Sequence, residues 1–256
     1  MYTSKRPWLK FLKFGAFPLS IFFAVLTLPL LLGSFFTFTN WDGFGLDFEE
    51  FVGLKNYTEA LQDEAYWASL QFTAMYVIVS LILVNLVAFG LALLVTAGLR
   101  SANVFRTFFF IPNLIGGVIL GFIWQFVFNR TLTTVGKNFE IPFLESSWLN
   151  APESAFWALV VVTVWQMSGY MMIIYITGLM SIENDVLEAA MIDGASAFRT
   201  LWSIRLPLMA QAFTISIFLT LRNSFMAYDV NVGLTGGSPY RSTELISMHI
   251  FNEAFM

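Results

Sequence analysis

The chain has no cysteine, which excludes disulfide staples, thiolate metal sites and cysteine nucleophiles. It has a single histidine, His249, too few for the usual multi-histidine metal motifs. Charge is scarce as well. Only 12% of the 256 residues are Asp, Glu, Lys or Arg, half of the roughly 25% of an average soluble domain. Against these scarcities, 57% of the chain is hydrophobic, with 29 Phe and 8 Trp. The mean hydropathy is +0.72. A soluble protein of this size cannot hide so much apolar surface, because a large share of its residues must face water. A soluble globular enzyme and a disordered chain are both excluded, and a polytopic membrane protein remains.

The lack of charge also locates the spans, since a helix crosses the bilayer with roughly 20 apolar residues. Residues 14–41 carry no charge, and 17–38 form the first predicted span. The second lies near 70–95, the third over 107–129 and the fourth near 156–179. The fifth opens at Leu206-Pro207 and runs to about Ala227, with one internal charge, Arg222. The first segment has the basic n-region of a signal peptide. Its apolar run is too long and no A-x-A site follows, so it reads as a retained span.

Lys and Arg are unevenly spread. Lys5, Arg6, Lys10, Lys13, Arg100, Arg106, Arg199 and Arg205 fall on one side, and Lys55, Arg130, Lys137 and Arg241 on the other. The first outer loop carries Asp42, Asp47, Glu49, Glu50, Glu59, Asp63 and Glu64 against one lysine. The positive-inside rule places the N-terminus in the cytoplasm. No internal repeat or low-complexity linker is visible. The expected organisation is a basic N-terminus with the first span (1–38), an outer loop (39–69) and a helical membrane core (70–256) containing a cytoplasmic loop at 182–209.

That loop is the most informative stretch. Asn184 or Asp185 can cap a short helix, with Glu188 in its first turns. Gly194 is the expected stop. A second amphipathic stretch places Phe198, Leu201, Trp202 and Ile204 near helical spacing. Leu206-Pro207 then suits a helix start. Two short helices with small and apolar residues fit either a docking element for a cytosolic partner or a helix pair lying on lipid headgroups.

Glu188-Ala189-Ala190, then Asp193-Gly194-Ala195, then Ile204-Arg205-Leu206-Pro207, resemble the EAA loop of binding-protein-dependent ABC importer permeases, in the version of the sugar-importer branch. The resemblance extends over roughly 35–256. Phe51-Val52-Gly53-Leu54-Lys55-Asn56-Tyr57 is similar to the opening of the core in maltose-transporter permeases. So are Phe105-Arg106-Thr107, Phe109, Pro112 and Gly121-Phe122-Ile123-Trp124 to their third span. Thr235-Gly236-Gly237-Ser238-Pro239 with Thr243 is similar to their outer T-G-G-G-P loop, with serine for one glycine. The chain departs from the pattern at Ile182-Glu183, where the family has Ile-Pro, and at Ala210-Gln211-Ala212, where a second proline often follows. The family also places one more span after the outer loop. The resemblance therefore implies an all-α type I ABC importer transmembrane fold with five spans present and a sixth, C-terminal span expected but missing.

The resemblance implies a mechanism. Glu188, Ala189, Ala190, Asp193, Gly194, Ala195, Leu206 and Pro207 would couple the spans to a cytosolic ATPase dimer, and the permease would alternate between outward- and inward-facing states. The chain has no Walker A sequence, since Gly136-Lys137 lacks a glycine five residues earlier. ATP and Mg would be bound by the partner ATPase, and no cofactor by this chain. The implied partners are a second, similar permease, two ATP-binding subunits, an extracellular solute-binding protein, a sugar or oligosaccharide, and membrane lipid, with no nucleic acid. The implied location is a bacterial inner membrane.

Sugars are held by aromatic faces and by amide or hydroxyl groups. The candidates are Trp165, Gln166, Ser168 and Tyr170 in span four, Arg222, Asn223, Ser224, Tyr228 and Asp229 at the end of span five, and more weakly Trp124 and Gln125. Each also fits helix packing or an interfacial position. Arg222 fits either an anionic ligand or a side chain that snorkels to the surface. A glycerol-phosphate or uronate importer is the alternative within the family. A secondary transporter is the remote rival, and spans one to four lack the coupling acids it needs. His249 reads as a surface or packing residue. Glu140, Glu145 and Glu153 lie in an outer loop that with Trp148 caps the pathway or meets a binding protein.

Overall fold

The computed structural model describes residues 7–41, 43, 50–98 and 101–255. Lys5, Arg6 and Arg100, the outer-loop acids Asp42, Asp47 and Glu49, and Met256 lie outside the described residues. The described chain is helical almost throughout, and divides into two compact units at residues 64 and 65.

The first unit holds α1 (Pro7–Phe14), α2 (Ala16–Phe36) and α3 (Lys55–Gln62). α2 is apolar and long enough to cross a membrane. Its side chains are almost all exposed, so lipid or protein must cover them. The loop beyond it is closed by side chains. Asn56 donates to the carbonyls of Thr37 and Thr39 at 3.0 and 2.8 Å, and Phe36 stacks on Trp41 at 4.4 Å.

The second unit is built around two long apolar helices, α4 (Glu64–Thr96) and α7 (Pro152–Met180). α7 is the centre, with most of one long face buried along its length. Glycines let other backbones touch it. A Cβ on Gly169 would strike the Phe109 carbonyl, and one on Gly178 would meet Ala212 Cβ at 2.7 Å. Asn85 of α4 ties the bundle together. Its Oδ1 accepts from Tyr175 Oη at 2.7 Å and from Ser216 Oγ at 2.6 Å, joining three spans.

Three features differ from the sequence expectation. The third span is broken. α5 (Ala102–Phe110) ends in a tight turn over Ile111–Leu114, and α6 (Gly117–Asn138) starts afresh. Pro112 and Gly116 account for the break, because neither favours a continuous helix. The fifth span does not open at Leu206-Pro207. Those residues close α9 (Ala197–Leu208), and the chain bends by 70° at Met209 into α10 (Ala210–Phe225). The polar segment after the fifth span, to which hydropathy assigns no element, is packed. It forms α11 (Asp229–Leu234) and α12 (Ile246–Phe255), with Asn231, Thr243, Glu244 and His249 all buried. Hydrogen bonds cover much of that polarity. Asn231 donates to the Thr243 carbonyl at 2.9 Å and accepts from Thr235 Oγ1 at 2.7 Å. Glu244 is held by Arg241 and Asn252.

Candidate functional site

The breaks in the third and fifth spans have a common consequence. Irregular backbone inside a membrane protein is tolerated where it is buried or lines a cavity. Here the turn at 111–116 and the link at 226–228 flank one cavity of about 290 Å³. α4 contributes Tyr76, and α7 contributes Thr163, Gln166 and Met167. The broken third span gives Asn113 and Gly117. The end of α10 gives Asn223, and Met226 to Val230 complete the wall.

α11 sits against α6 because glycines on both helices let the backbones meet. A Cβ on Gly121 would lie 2.6 Å from Gly233 C, and one on Gly233 would strike the Val118 carbonyl. A Cβ on Gly117 would lie 2.6 Å from Asp229 Cβ. This is small-residue packing of the kind that lets membrane helices approach closely. It fixes Asp229 at the cavity wall.

The lining is polar but only partly self-satisfied. Tyr76 Oη and Thr163 Oγ1 bond each other at 2.6 Å. Gln166 Nε2 donates to the Ile115 carbonyl, freed by the helix break, at 3.3 Å. Asn223 Oδ1 accepts from Arg222 at 3.2 Å. Among the described residues, the Asn113 amide, the Tyr228 hydroxyl and the Asp229 carboxylate have no hydrogen-bond partner. Amide, hydroxyl and carboxylate groups facing a void suit a ligand rich in hydroxyls.

The loop at 182–209 carries the second set of candidate residues. α8 (Asn184–Ile192) starts after Glu183, so Glu183 and not Asn184 or Asp185 occupies the capping position. Its end is as expected. Gly194 has φ +69°, Gly194 N–H donates to the Met191 carbonyl at 3.1 Å, and Ala195 N–H to the Ala190 carbonyl at 2.9 Å. These two bonds complete a glycine stop of the Schellman type. Ser196 caps α9 by accepting from Arg199 N–H. The inner face is anchored, with Ala190 buried and Leu187 packed against the core cluster that holds Ile182 and Met209. The outer face bears Glu188, Ala189, Asp193 and the large apolar side chains Met191, Ile192, Phe198 and Trp202, all exposed. Ile192 is 87% exposed.

A family model for the binding-protein-dependent transport system inner membrane component matches residues 88–254. The chain belongs to this family. It is 42% identical over 231 residues to the probable starch degradation products transport system permease protein AmyD of Thermoanaerobacterium thermosulfurigenes, covering 90% of this chain and 78% of that one. It is 32% identical to the multiple sugar-binding transport system permease protein MsmF of Streptococcus mutans, covering 89% and 78%. Its fold resembles a crystal structure of a bacterial ABC transporter involved in the import of the acidic polysaccharide alginate. The TM-score is 0.81 at 19% identity, over 98% of this chain and 85% of that one.

Within this transporter-family chain, the structure sorts the sequence candidates. It brings Gln166, Asn223, Tyr228 and Asp229 together at one cavity. Ser168 is buried and donates to the Val164 carbonyl of its own helix, a packing arrangement. Trp165 packs edge-on against Trp124 at 5.4 Å, outside the cavity lining. Gln125 donates to the Leu234 carbonyl and so holds α11. Ser224 is buried, and Tyr170 and Arg222 are exposed away from the lining. Arg222 sits in the last turn of α10, where a cation complements the helix end. Asn113, Thr163 and Tyr76 line the cavity although the sequence does not single them out. The proline beside Asn113 is the available signal, since a broken span exposes its neighbours.

Proposed function

We propose that the chain is the membrane-spanning permease subunit of an ATP-driven, solute-binding-protein-dependent carbohydrate importer. The observation that carries this reading is the cavity at the two helix breaks. Asn113, Gln166, Asn223, Tyr228 and Asp229 all line this half-open pocket. The family membership and the sugar-transport relatives support the same substrate class.

In this reading the solute is handed over by an extracellular binding protein and passes between this chain and a second permease. Two ATPase subunits hold ATP and Mg on the cytoplasmic side. The outer face of α8 and α9 meets the ATPase through Met191, Ile192, Phe198 and Trp202, with Glu188 facing a basic group. Small side chains at Ala189 and Ala195 allow close approach, and Asp193 with Gly194 keeps the turn rigid. Leu206 and Pro207 then relay motion into the bend before α10. The N-terminus lies in the cytoplasm, as the Lys and Arg distribution requires.

Uptake of labelled maltotriose into vesicles carrying the whole transporter tests the proposal. Uptake is expected to stop when ATP is removed and to persist when ion gradients are collapsed. The reverse pattern overturns it. Gly194→Trp tests the loop, because a bulky residue at φ +69° strains the turn whatever space is around it. The variant is expected to keep basal ATPase activity and lose uptake by about tenfold or more. Normal uptake removes the coupling role from this turn.

A further inference from the structure

We propose that Asp229 makes the cavity a charge filter, which accepts uncharged glycans and turns anionic ones away. The inference rests on the solute-site reading above and specifies which solutes that site takes. The Asp229 side chain is exposed at the cavity wall, and among the described residues no ion pair engages it. Among the described residues, no lysine or arginine lines the cavity. The nearest cation along the chain, Arg222, donates to Asn223 Oδ1 and lies outside the lining. The carboxylate also cannot be carried away by a small rotation of α11. Gly117 and Gly121 hold that helix at close contact, and Asp229 Cβ lies only 2.6 Å from where a Cβ on Gly117 would stand.

The other polar wall groups, Asn113, Thr163, Gln166 and Tyr228, are uncharged and serve a neutral or a charged sugar equally. Asp229 does not. Sugar hydroxyls donate to a carboxylate in short, charge-assisted hydrogen bonds. A uronate or sugar phosphate instead brings a like charge into a site partly removed from water, where repulsion is several times stronger than in bulk solvent. The fold does not decide between the two, since the similar alginate transporter is involved in the import of an acidic polysaccharide. The distinction lies in the lining.

The test is equilibrium binding to the complete transporter, both permeases with their ATPases, in lipid nanodiscs and without the binding protein. That omission removes the binding protein's own selectivity. The probes are maltotriose and maltotrionic acid, its analogue oxidised to a carboxylate at the reducing end. The wild type is expected to favour maltotriose by about tenfold or more. Asp229→Asn, nearly equal in size, is expected to bring the two affinities within about threefold, chiefly by tighter binding of the acid. Asp229→Glu keeps the charge and is expected to keep the preference, which guards against a folding artefact. An unchanged preference in Asp229→Asn overturns the filter while maltotriose binding leaves the solute site standing. Failure of the wild type to bind either probe overturns the solute-site reading, and the filter with it.

Discussion

Two of the polar patches in the second unit are built differently. At the first, Asn85 meets Tyr175, Ser216 and the Leu81 carbonyl, and every group is consumed by a protein partner. At the second, Asn113, Tyr228 and Asp229 line a pocket and have no side-chain hydrogen-bond partner among the described residues. Both patches hold similar residue types, and chemistry alone does not separate them. What separates them is whether the protein completes its own hydrogen bonds. A completed knot holds helices together, and an incomplete one awaits a ligand or water.

The largest effect is expected at the support beneath the cavity. Gly121→Leu drives a side chain into the Gly233 backbone, which cannot move aside as a flexible side chain could. Overpacking of this kind costs about 1–3 kcal/mol or more, and here α11 must leave α6. Uptake is expected to vanish, and cysteine cross-linking between α6 and α11 to weaken. Undiminished uptake would show that the cavity does not depend on that contact.

The next largest effect is expected at the knot. Asn85→Leu strips the acceptor from Tyr175 and Ser216 and should cost about 1–2 kcal/mol. That corresponds to a fall of about 2–8 °C in Tm for a chain of this size. Thermal unfolding in detergent measures it, and solute affinity at the intact cavity should change little. Asn223→Ala should do the opposite. Its Tm is expected to stay within about 1 °C, while apparent KM rises about fivefold, the equivalent of roughly 1 kcal/mol of lost hydrogen bonding. A matching loss of stability in both variants would erase the distinction between knot and cavity.

The smallest effect is at a third, charged cluster. The Arg241 guanidinium holds the buried Glu244 carboxyl below the usual carboxylate range, against the opposing effect of burial, with Asn252 and His249 assisting. A carboxyl with a depressed pKa contributes stability that is complete above its unfolded value. The contribution is lost as pH falls through the ordinary glutamate range near about 4.3 and on to the lower folded value. Amide exchange in α12, corrected for its intrinsic pH dependence, should therefore quicken as pH drops from about 5 to about 3. Glu244→Gln should remove that pH step.

The spans are readable from sequence because a long charge-free apolar run is stable only in lipid or deep inside protein. The loop stop is readable too, since Gly194 follows a helical run of the right length and only the left-handed region satisfies the last carbonyls. The break at 111–116 is harder. Pro112 and Gly116 sit inside a run that stays apolar on both sides, and hydropathy does not register backbone direction. α11 is hidden for a different reason. Its six residues carry too little periodicity to signal a helix, and its partner lies more than 100 residues earlier. The segment beyond α11 looks solvent-facing because it is polar. It is instead buried through Asn231, Thr235 and Thr243, whose pairings no local pattern encodes. Of the cavity residues, Gln166, Asn223, Tyr228 and Asp229 stand out by their chemistry and position in the spans. Asn113 and Thr163 need the third dimension.

The 70° bend at Met209 has a mechanical reading. Met209 is buried and packed on the core, so the joint is pinned while both arms extend from it. The arms are unequal. At 1.5 Å per residue, the twelve residues of α9 give a lever of about 18 Å and the sixteen of α10 about 24 Å. A bell crank with those arms that keeps its angle multiplies displacement by about 1.3. A stroke of about 3 Å at the free end of α9 would arrive as about 4 Å at the far end of α10, turned through the angle of the bend.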